Sequence, residues 1–451
     1  MFQKVLIANR GEIACRIIRA CREMGVKSVA IYSEADRCSN HVNLADQAIC
    51  VGAGSNSDSY LNLANVLMAV QISGADAVHP GYGYFSERTH FATALQGMGV
   101  KFIGPPVSAI EAMGDKAKAK AFAIKAKCPV VPGSPGAVLN EADAIKYASE
   151  IGYPVLLKAV AGGGGRGIRR ATSADEIQKL YSMASAEAQA SFGNGELLIE
   201  KSLVKPRHVE IQILGDEYGR MVYLGERECS VQNLRHQKLI EESPDANLSP
   251  KTRKSMGESA VRVASSVKYT NAGTVEFLVD ADEKYYFLEM NTRLQVEHPV
   301  TEEVTGYDIV RWMLKIASGE HLTIAQRDVH LQGHAIEARI TAQDPEKDFA
   351  PITGSITGWC PPTGPGIRIE SHCHAGYEVS PFYDPLLAKL IVKATSRHDA
   401  VTRLQAALHD FKVAGIATNI SFLSRLCHTD EFISGKMDTQ FVGRFLDEAI
   451  D

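Results

Sequence analysis

The chain has 451 residues, 45% of them hydrophobic and 22% charged, which is enough for two or three domains with substantial cores and too balanced for intrinsic disorder. A formal net charge of -5 and a pI near 6.3 exclude a general nucleic-acid or anionic-membrane surface. Nine cysteines, an odd number with no C-x-x-C pair, read as reduced thiols in a cytoplasmic setting, and no apolar run approaches the length of a membrane span or a leader peptide.

In chain order, Lys4 to Ala8 fits a buried strand and Asn9-Arg10-Gly11-Glu12 a turn. Ile13, Ile17, Ala20, Cys21 and Met24 then recur at helical spacing, Gly25 stops the run, and Ser28 to Tyr32 is a second strand. This βαβ order predicts a parallel sheet with helices on both faces. A nicotinamide-dependent dehydrogenase reading fails on the first turn, which has one glycine where a pyrophosphate fingerprint needs several. His79-Pro80-Gly81-Tyr82-Gly83 is a tight turn after a strand at Ala75 to Val78. The first region closes near residue 114, and a lysine-bearing helical linker containing Lys116 covers 115–130.

A smaller unit, 131–202, holds a strand at Tyr153 to Ala159 with Lys158 on it, the run G-G-G-G-R-G at 162–167, a helix, and a strand at Leu197 to Lys201. Consecutive glycines leave backbone N–H groups uncovered, which suits a mobile cover over phosphates, though no G-K-[ST] follows to make a Walker loop. The largest region, 203–451, ends in packing elements: a strand at Leu386 to Val392, then a helix opened by Ser396-x-x-Asp399 with Ala400, Val401, Leu404, Ala407, Leu408 and Phe411 on its apolar face. His372-Cys373-His374 alternates faces on a strand, which disfavours a metal site there.

The organising stretch is Tyr285 to Glu297, Y-Y-F-L-E-M-N-T-R-L-Q-V-E. In an extended chain Glu289, Asn291, Arg293, Gln295 and Glu297 share one face. With Gly273 to Asp280 as the preceding strand and residues 281–284 as the loop, Glu276 falls opposite Glu289. Two facing carboxylates repel unless a hard cation lies between them, and Asn291 can add a carbonyl oxygen.

These segments resemble the biotin carboxylase subunit of biotin-dependent carboxylases, within the ATP-grasp superfamily. The likeness is carried by I-A-N-R-G-E-I-A at 7–14, H-P-G-Y-G at 79–83, M-G-D-K at 113–116, the glycine run, P-R-H-V-E at 206–210, E-M-N-T-R-L-Q-V-E-H-P-V-T-E at 289–302 and G-H-A-I-E-A-R-I at 333–340. The resemblance implies an α/β and α+β architecture: an ATP-grasp fold with an N-terminal parallel-sheet (pre-ATP-grasp) domain at 1–114, a mobile lid at 131–202, and a core with a mixed or antiparallel C-terminal domain at 203–451. It implies carboxylation of biotin by ATP, Mg²⁺ (or Mn²⁺) and bicarbonate through carboxyphosphate. Lys116, Lys158, Gly164 and Gly165 would meet phosphates; Glu200, Lys201 and Leu203 adenine; His208, Gln232 and His236 the rest of the nucleotide. Glu276, Glu289 and Asn291 would hold the metal, and Lys238 the transferred phosphoryl group. Arg293, Gln295 and the Val296 backbone would place bicarbonate. Glu297 would be its base, with an environment that raises its pKa, and Arg339 would stabilise the ureido oxygen of biotin.

The family mostly reads Q-R-R-H-Q-K where this chain has Gln232-Asn233-Leu234-Arg235-His236-Gln237-Lys238, one residue longer, so the backbone between Gln232 and Lys238 must bulge or shift. A Met-Lys-Met biotinylation signature is missing, which implies biotin on a separate carrier protein, with carboxyltransferase subunits as further partners and a homodimer as the common assembly. Acetyl-CoA, as in fatty acid biosynthesis, is the first choice of final acceptor; pyruvate, 2-oxoglutarate and other acyl-CoAs are the alternatives. Two competing readings remain: another ATP-grasp ligase that activates a carboxylate for an amine, and a non-catalytic subunit that keeps the fold.

Overall fold

The computed structural model of the chain describes residues 1–160 and 168–448. Lys4–Ile7 (β1), Lys27–Tyr32 (β2), Gln47–Cys50 (β3), Ala77–His79 (β4) and Lys101–Phe102 (β5) form one sheet in the order β3-β2-β1-β4-β5. Every neighbouring pair is parallel, as the βαβ order predicts. Helix α1, Gly11–Glu23, begins two residues before the first position of the apolar spacing, and its Ile13, Ile17, Ala20 and Cys21 are all buried. The strand expected at Ala75 to Val78 runs from Ala77 to His79 instead, because the Asp76 carboxylate accepts from the backbone N–H groups of Gln3 and Lys4 and belongs to the turn.

The H-P-G-Y-G turn is held from below. Asn9 Nδ2 donates to the carbonyls of Pro80 (2.8 Å) and Tyr82 (2.7 Å), and the Gly81 N–H donates to His79 Nδ1 at 3.0 Å. Gly81 sits at φ 63° with Asn9 packed where a Cβ would go, so this position needs glycine on both counts.

Helix α2, Lys116–Lys125, is capped by the Asp115 side chain, which accepts from the N–H groups of Ala117 and Lys118. A three-stranded antiparallel sheet follows, Val155–Ala159 (β6), Ile168–Ala171 (β7) and Leu197–Lys201 (β8), in the order β7-β6-β8. The glycine run with Gly164 and Gly165 lies outside the described residues.

The largest sheet has eight strands. Its members are Arg207–Gly215 (β9), Met221–Gln232 (β10), Lys238–Ser243 (β11), Asn271–Val279 (β12), Tyr285–Asn291 (β13), His334–Thr341 (β14), Ile367–Ser371 (β15) and Leu386–Ala394 (β16), in the order β13-β12-β9-β10-β11-β14-β16-β15. Glu276 does pair with Glu289, but by a different route from the one read in the sequence. The loop spans 280–284, one residue more than expected, and a register shift between Glu276 and Phe277 restores the pairing. The polar row is also shorter as a strand than expected. β13 ends at Asn291, and Arg293, Gln295 and Glu297 lie on the turn into helix α3, His298–Thr305, where Pro299 can occupy the first turn without losing a hydrogen bond.

Helix α4, Arg397–Asp410, is N-capped by Ser396, and all six residues of its expected apolar face are buried against the sheet. The Asp399 carboxylate returns to the Ser396 and Thr395 hydroxyls rather than to a backbone N–H, so the capping box is completed by side chains. His372 is buried against the Tyr377 hydroxyl at 3.2 Å while His374 is half-buried, and neither joins a metal-ligand cluster among the described residues. None of the nine cysteines is paired, and no described helix is long and apolar enough to cross a membrane.

Burial pushes the His41 imidazole down to about 4 and His79 down to about 3, from an ordinary 6.5. Both are neutral when folded, so unfolding takes up protons below that ordinary value, and their stabilisation is complete above it and lost as pH falls. Urea denaturation at pH 5 instead of pH 7 will cost about 2 kcal/mol of stability per histidine. That increment disappears in the His41→Asn, His79→Asn double variant; an equal pH slope in the two proteins counts against the assignment.

Candidate active site

A cavity of about 1210 Å³ opens where the five-, three- and eight-stranded sheets meet. Its upper wall comes from α2 and the three-stranded sheet. Lys116, the first residue of α2, is exposed there, and Lys158 Nζ donates to Glu200 Oε2 at 2.6 Å while Lys120 Nζ donates to Oε1 at 2.9 Å. Glu200, with its pKa drawn down by the two lysines against the effect of burial, aligns their ammonium groups along the wall. Alternation on β8 sends Lys201 the other way, onto the carbonyls of Gly152 and Tyr153 at 2.9 Å each. Lys201 and Leu203 do not line the cavity, and the Lys201 ammonium is turned away from it.

The floor is a lattice of buried charge. Lys238, at the start of β11, places Nζ 2.5 Å from Glu297 Oε1, 2.8 Å from Glu210 Oε2 and 3.4 Å from Glu276 Oε1. Behind it the fully buried Arg227 of β10 reaches Glu210, Gln212 at 2.7 Å, Thr301 at 2.9 Å and Thr274 at 3.0 Å. Arg339 of β14 holds Glu241 Oε1 through Nε at 2.6 Å and reaches Glu297 Oε2 through Nη2 at 3.0 Å. The sequence reading assigned no role to Glu210, Arg227, Glu241 or Glu87. Glu87 is the partner of Arg293, accepting from its Nε at 3.0 Å and from the Thr292 N–H at 3.1 Å. Only Glu210 stood inside a quoted motif.

Glu297 behaves differently from expectation. Burial alone would raise its pKa, but Lys238, Arg339 and Arg227 outweigh burial and hold the carboxyl well below the usual range. The carboxylate is therefore a weak base while both cations stay on it. Burial pushes Glu241 up to about 7 despite Arg339. Burial drives Glu337, with neither carboxylate oxygen hydrogen-bonded, well above the ordinary value despite Lys389.

The facing pair fits a divalent cation. Burial and the neighbouring Glu276 push Glu289 up, and its carboxylate has no ion-pair partner among the described residues, while Lys238 and His208, whose Nε2 is 3.0 Å from Glu276, outweigh burial and pull Glu276 down, so the demand for a further cation falls on the Glu289 side. Asn291 is committed elsewhere: Oδ1 accepts from Arg293 Nη2 and Nδ2 donates to Glu276 Oε1, each at 2.9 Å. The ligand atoms that do converge, those of His208, Glu210 and Glu276 and of Glu210, Cys229 and Glu297, share carboxylates that the Lys238 ammonium already bridges.

Gln295 is clamped between Arg293 Nη1 (3.0 Å to its Oε1) and Glu276 (3.0 Å from its Nε2), and Gln232 Nε2 meets His208 Nδ1 at 2.9 Å. The Val296 carbonyl accepts from Lys389 Nζ at 3.0 Å. Lys389 is fully buried on β16 and lies 3.1 Å from Glu12 of α1, which also accepts from the Tyr82 hydroxyl. One cation thus ties the N-terminal domain and the 79–83 turn to the peptide that precedes Glu297.

Three family models match in series: the biotin carboxylase N-terminal domain over residues 1–110, the carbamoyl-phosphate synthase L chain ATP-binding domain over 115–325, and the biotin carboxylase C-terminal domain over 337–444. A biotin carboxylase of Nostoc sp. is 49% identical over 441 residues, covering 98% of both chains. Biotin carboxylase 1 of Bacillus subtilis is 48% identical over 443 residues, again 98% of each. Among solved structures, the biotin carboxylase domain dimer of Hydrogenobacter thermophilus 2-oxoglutarate carboxylase, in complex with MgADP, ADP and bicarbonate, aligns with TM-score 0.94 and 46% identity over 100% of this chain and 99% of its own. A Campylobacter jejuni biotin carboxylase complex with β-γ-ATP gives TM-score 0.94 and 45% identity over 98% and 99%.

Replacing Lys389 with Met removes the cation beside Glu12 and leaves a buried carboxylate with Tyr82 as its partner. Denaturant unfolding of Lys389→Met will show a loss of about 3 kcal/mol, and adding Glu12→Gln will recover part of it. Strictly additive losses would show that the two side chains are not coupled.

Proposed function

Because the chain belongs to the biotin carboxylase family of ATP-grasp enzymes, we propose that it carboxylates biotin carried on a separate carrier protein, with bicarbonate activated as carboxyphosphate. The observation that carries this reading is the convergence of Lys238 and Arg339 on the two oxygens of Glu297 at the cavity floor.

MgATP, when bound, supplies the phosphoryl group that activates bicarbonate, and Glu276 and Glu289 would hold its metal ion. Asn291 joins them only if Arg293 releases its carbonyl. Lys116 and Lys158 neutralise the phosphates, to which the backbone N–H groups of Gly164 and Gly165 in the glycine run would donate. His208, Gln232 and His236 line the nucleotide wall, and Glu200 and the backbone of Lys201 and Leu203 border the base. Arg293, Gln295 and the Val296 N–H orient bicarbonate.

Glu297 then takes the bicarbonate proton. Its base strength depends on its two cations: the phosphoryl oxygens compete for Lys238 and the ureido oxygen of biotin competes for Arg339. As each cation turns to its substrate, the proton affinity of Glu297 rises. Arg339 meets a charge that develops only during transfer, so it lowers the barrier more than it tightens binding.

The same reading extends to partners: a biotin carboxyl carrier protein, carboxyltransferase subunits and a second copy of this chain, in the cytoplasm. Acetyl-CoA is proposed as the final acceptor, while the 2-oxoglutarate carboxylase small subunit of Hydrogenobacter thermophilus, 47% identical, supports a 2-oxo acid as the second choice.

ADP release by the purified chain with Mg²⁺, ATP and bicarbonate will rise on adding free biotin. Arg339→Ala will lower the biotin-stimulated rate on the order of 100-fold with little change in the KM for ATP, and chelating the divalent cation will abolish turnover. ATP binding without turnover under every condition would favour a non-catalytic subunit and end this reading.

A further inference from the structure

The connection from Gln232 to Lys238 departs from the family pattern, and Asn233, Leu234, Arg235 and Gln237 within it have no role in the reaction as described so far. Gln232 and Lys238 are paired across β10 and β11, so residues 233–237 make the whole turn. Leu234 is 67% exposed, and Arg235 leans outward to an ion pair with Asp348. His236 is exposed at the cavity wall with φ 60°, a conformation that a non-glycine residue holds only when its surroundings enforce it.

Asn233 supplies the enforcement. It is 3% exposed. Its Oδ1 accepts from the N–H groups of Arg235 at 2.9 Å and Gln237 at 3.0 Å, the two residues that flank His236. Its Nδ2 donates to Gln237 Oε1 at 3.1 Å. Its own backbone N–H donates to the Gln237 carbonyl, and its carbonyl accepts from the His236 N–H, both at 2.9 Å. One side chain therefore meets amides on both sides of the strained residue, where the lengthened chain has no ladder partner to offer.

We propose that Asn233 is a positioning residue for nucleotide: without touching the substrate, it holds His236 and Gln237 against the cavity so that the longer connection presents a preformed wall to the phosphates. This rests on the reading of the cavity as the MgATP site. Among the described residues no hydrogen bond or ion pair joins this turn to Arg293, Gln295 or Val296, the residues proposed to orient bicarbonate, so the two substrates report on it differently.

The test compares wild type, Asn233→Ala and Asn233→Asp; the last keeps an oxygen acceptor for both amides. Three quantities are read: the calorimetric Kd for MgADP, hydrogen exchange of the Arg235 and Gln237 amides in the nucleotide-free protein, and the KM values for ATP and bicarbonate. Asn233→Ala is expected to weaken MgADP about 10-fold, to speed exchange at both amides, and to raise the KM for ATP with that for bicarbonate unchanged. Asn233→Asp is expected to restore the exchange protection and part of the affinity. Unchanged Kd and exchange in Asn233→Ala, equal losses for both substrates, or an aspartate variant that behaves like alanine would each overturn the proposal. Wild type that binds MgADP but never turns over would instead overturn the carboxylase reading, and binding and exchange would still decide the role of Asn233.

Discussion

The arrangement depends on one ammonium group shared by three carboxylates. Lys238 lies among Glu210, Glu276 and Glu297, and each of the four comes from a different stretch of chain: β11, β9, β12 and the turn after β13. Removing one partner from a buried charge pair costs about 3–5 kcal/mol because the other charge is left bare. Here deleting Lys238 would take one cation from three carboxylates at once, leaving Glu210 to Arg227, Glu297 to Arg339 and Glu276 to His208. Charge, as much as apolar packing, therefore sets how these strands meet. Arg227 and Arg339 extend the same logic outward: Arg227 holds Glu210 from behind, and Arg339 joins Glu241 to Glu297.

That balance explains why Glu297 is depressed rather than raised. A solvent-exposed carboxylate is weak because water stabilises it; Glu297 is weak because Lys238 and Arg339 do. The second kind of weakness is removable. In the proposed mechanism such a site holds no strong buried base before its substrates arrive, and gains one only when phosphoryl and ureido oxygens draw the cations off.

Much of this was legible in the sequence where a residue's partner is local. The βαβ start, the apolar face of α4 and the facing of Glu276 and Glu289 follow from periods of 3.6 and 2 and from a short loop. The extra loop residue and the compensating register shift did not, because a bulge cancels an error in counting and leaves the pairing intact. The depression of Glu297 was also invisible, since Lys238, Arg227 and Arg339 reach it from distant strands. Glu87, Glu241 and Lys389 were missed for the same reason: each stands in ordinary sequence and acquires meaning only through a partner more than 90 positions away, Arg293, Arg339 and Val296 respectively.

The continuity of the eight-stranded sheet bears on how such a chain can change over evolutionary time. The segments matched by the ATP-binding and C-terminal family models are separate in sequence, at 115–325 and 337–444, yet β11 of the first pairs with β14 of the second through Ile240↔Ala338 and Glu241↔Glu337. Arg339 and its clamp Glu241 stand on opposite sides of that junction. Recombination between homologous genes at the apparent boundary would transplant half of an ion pair and one edge of a ladder. The two segments can be exchanged only as a matched set, so the catalytic floor is inherited as one piece although it is written as two.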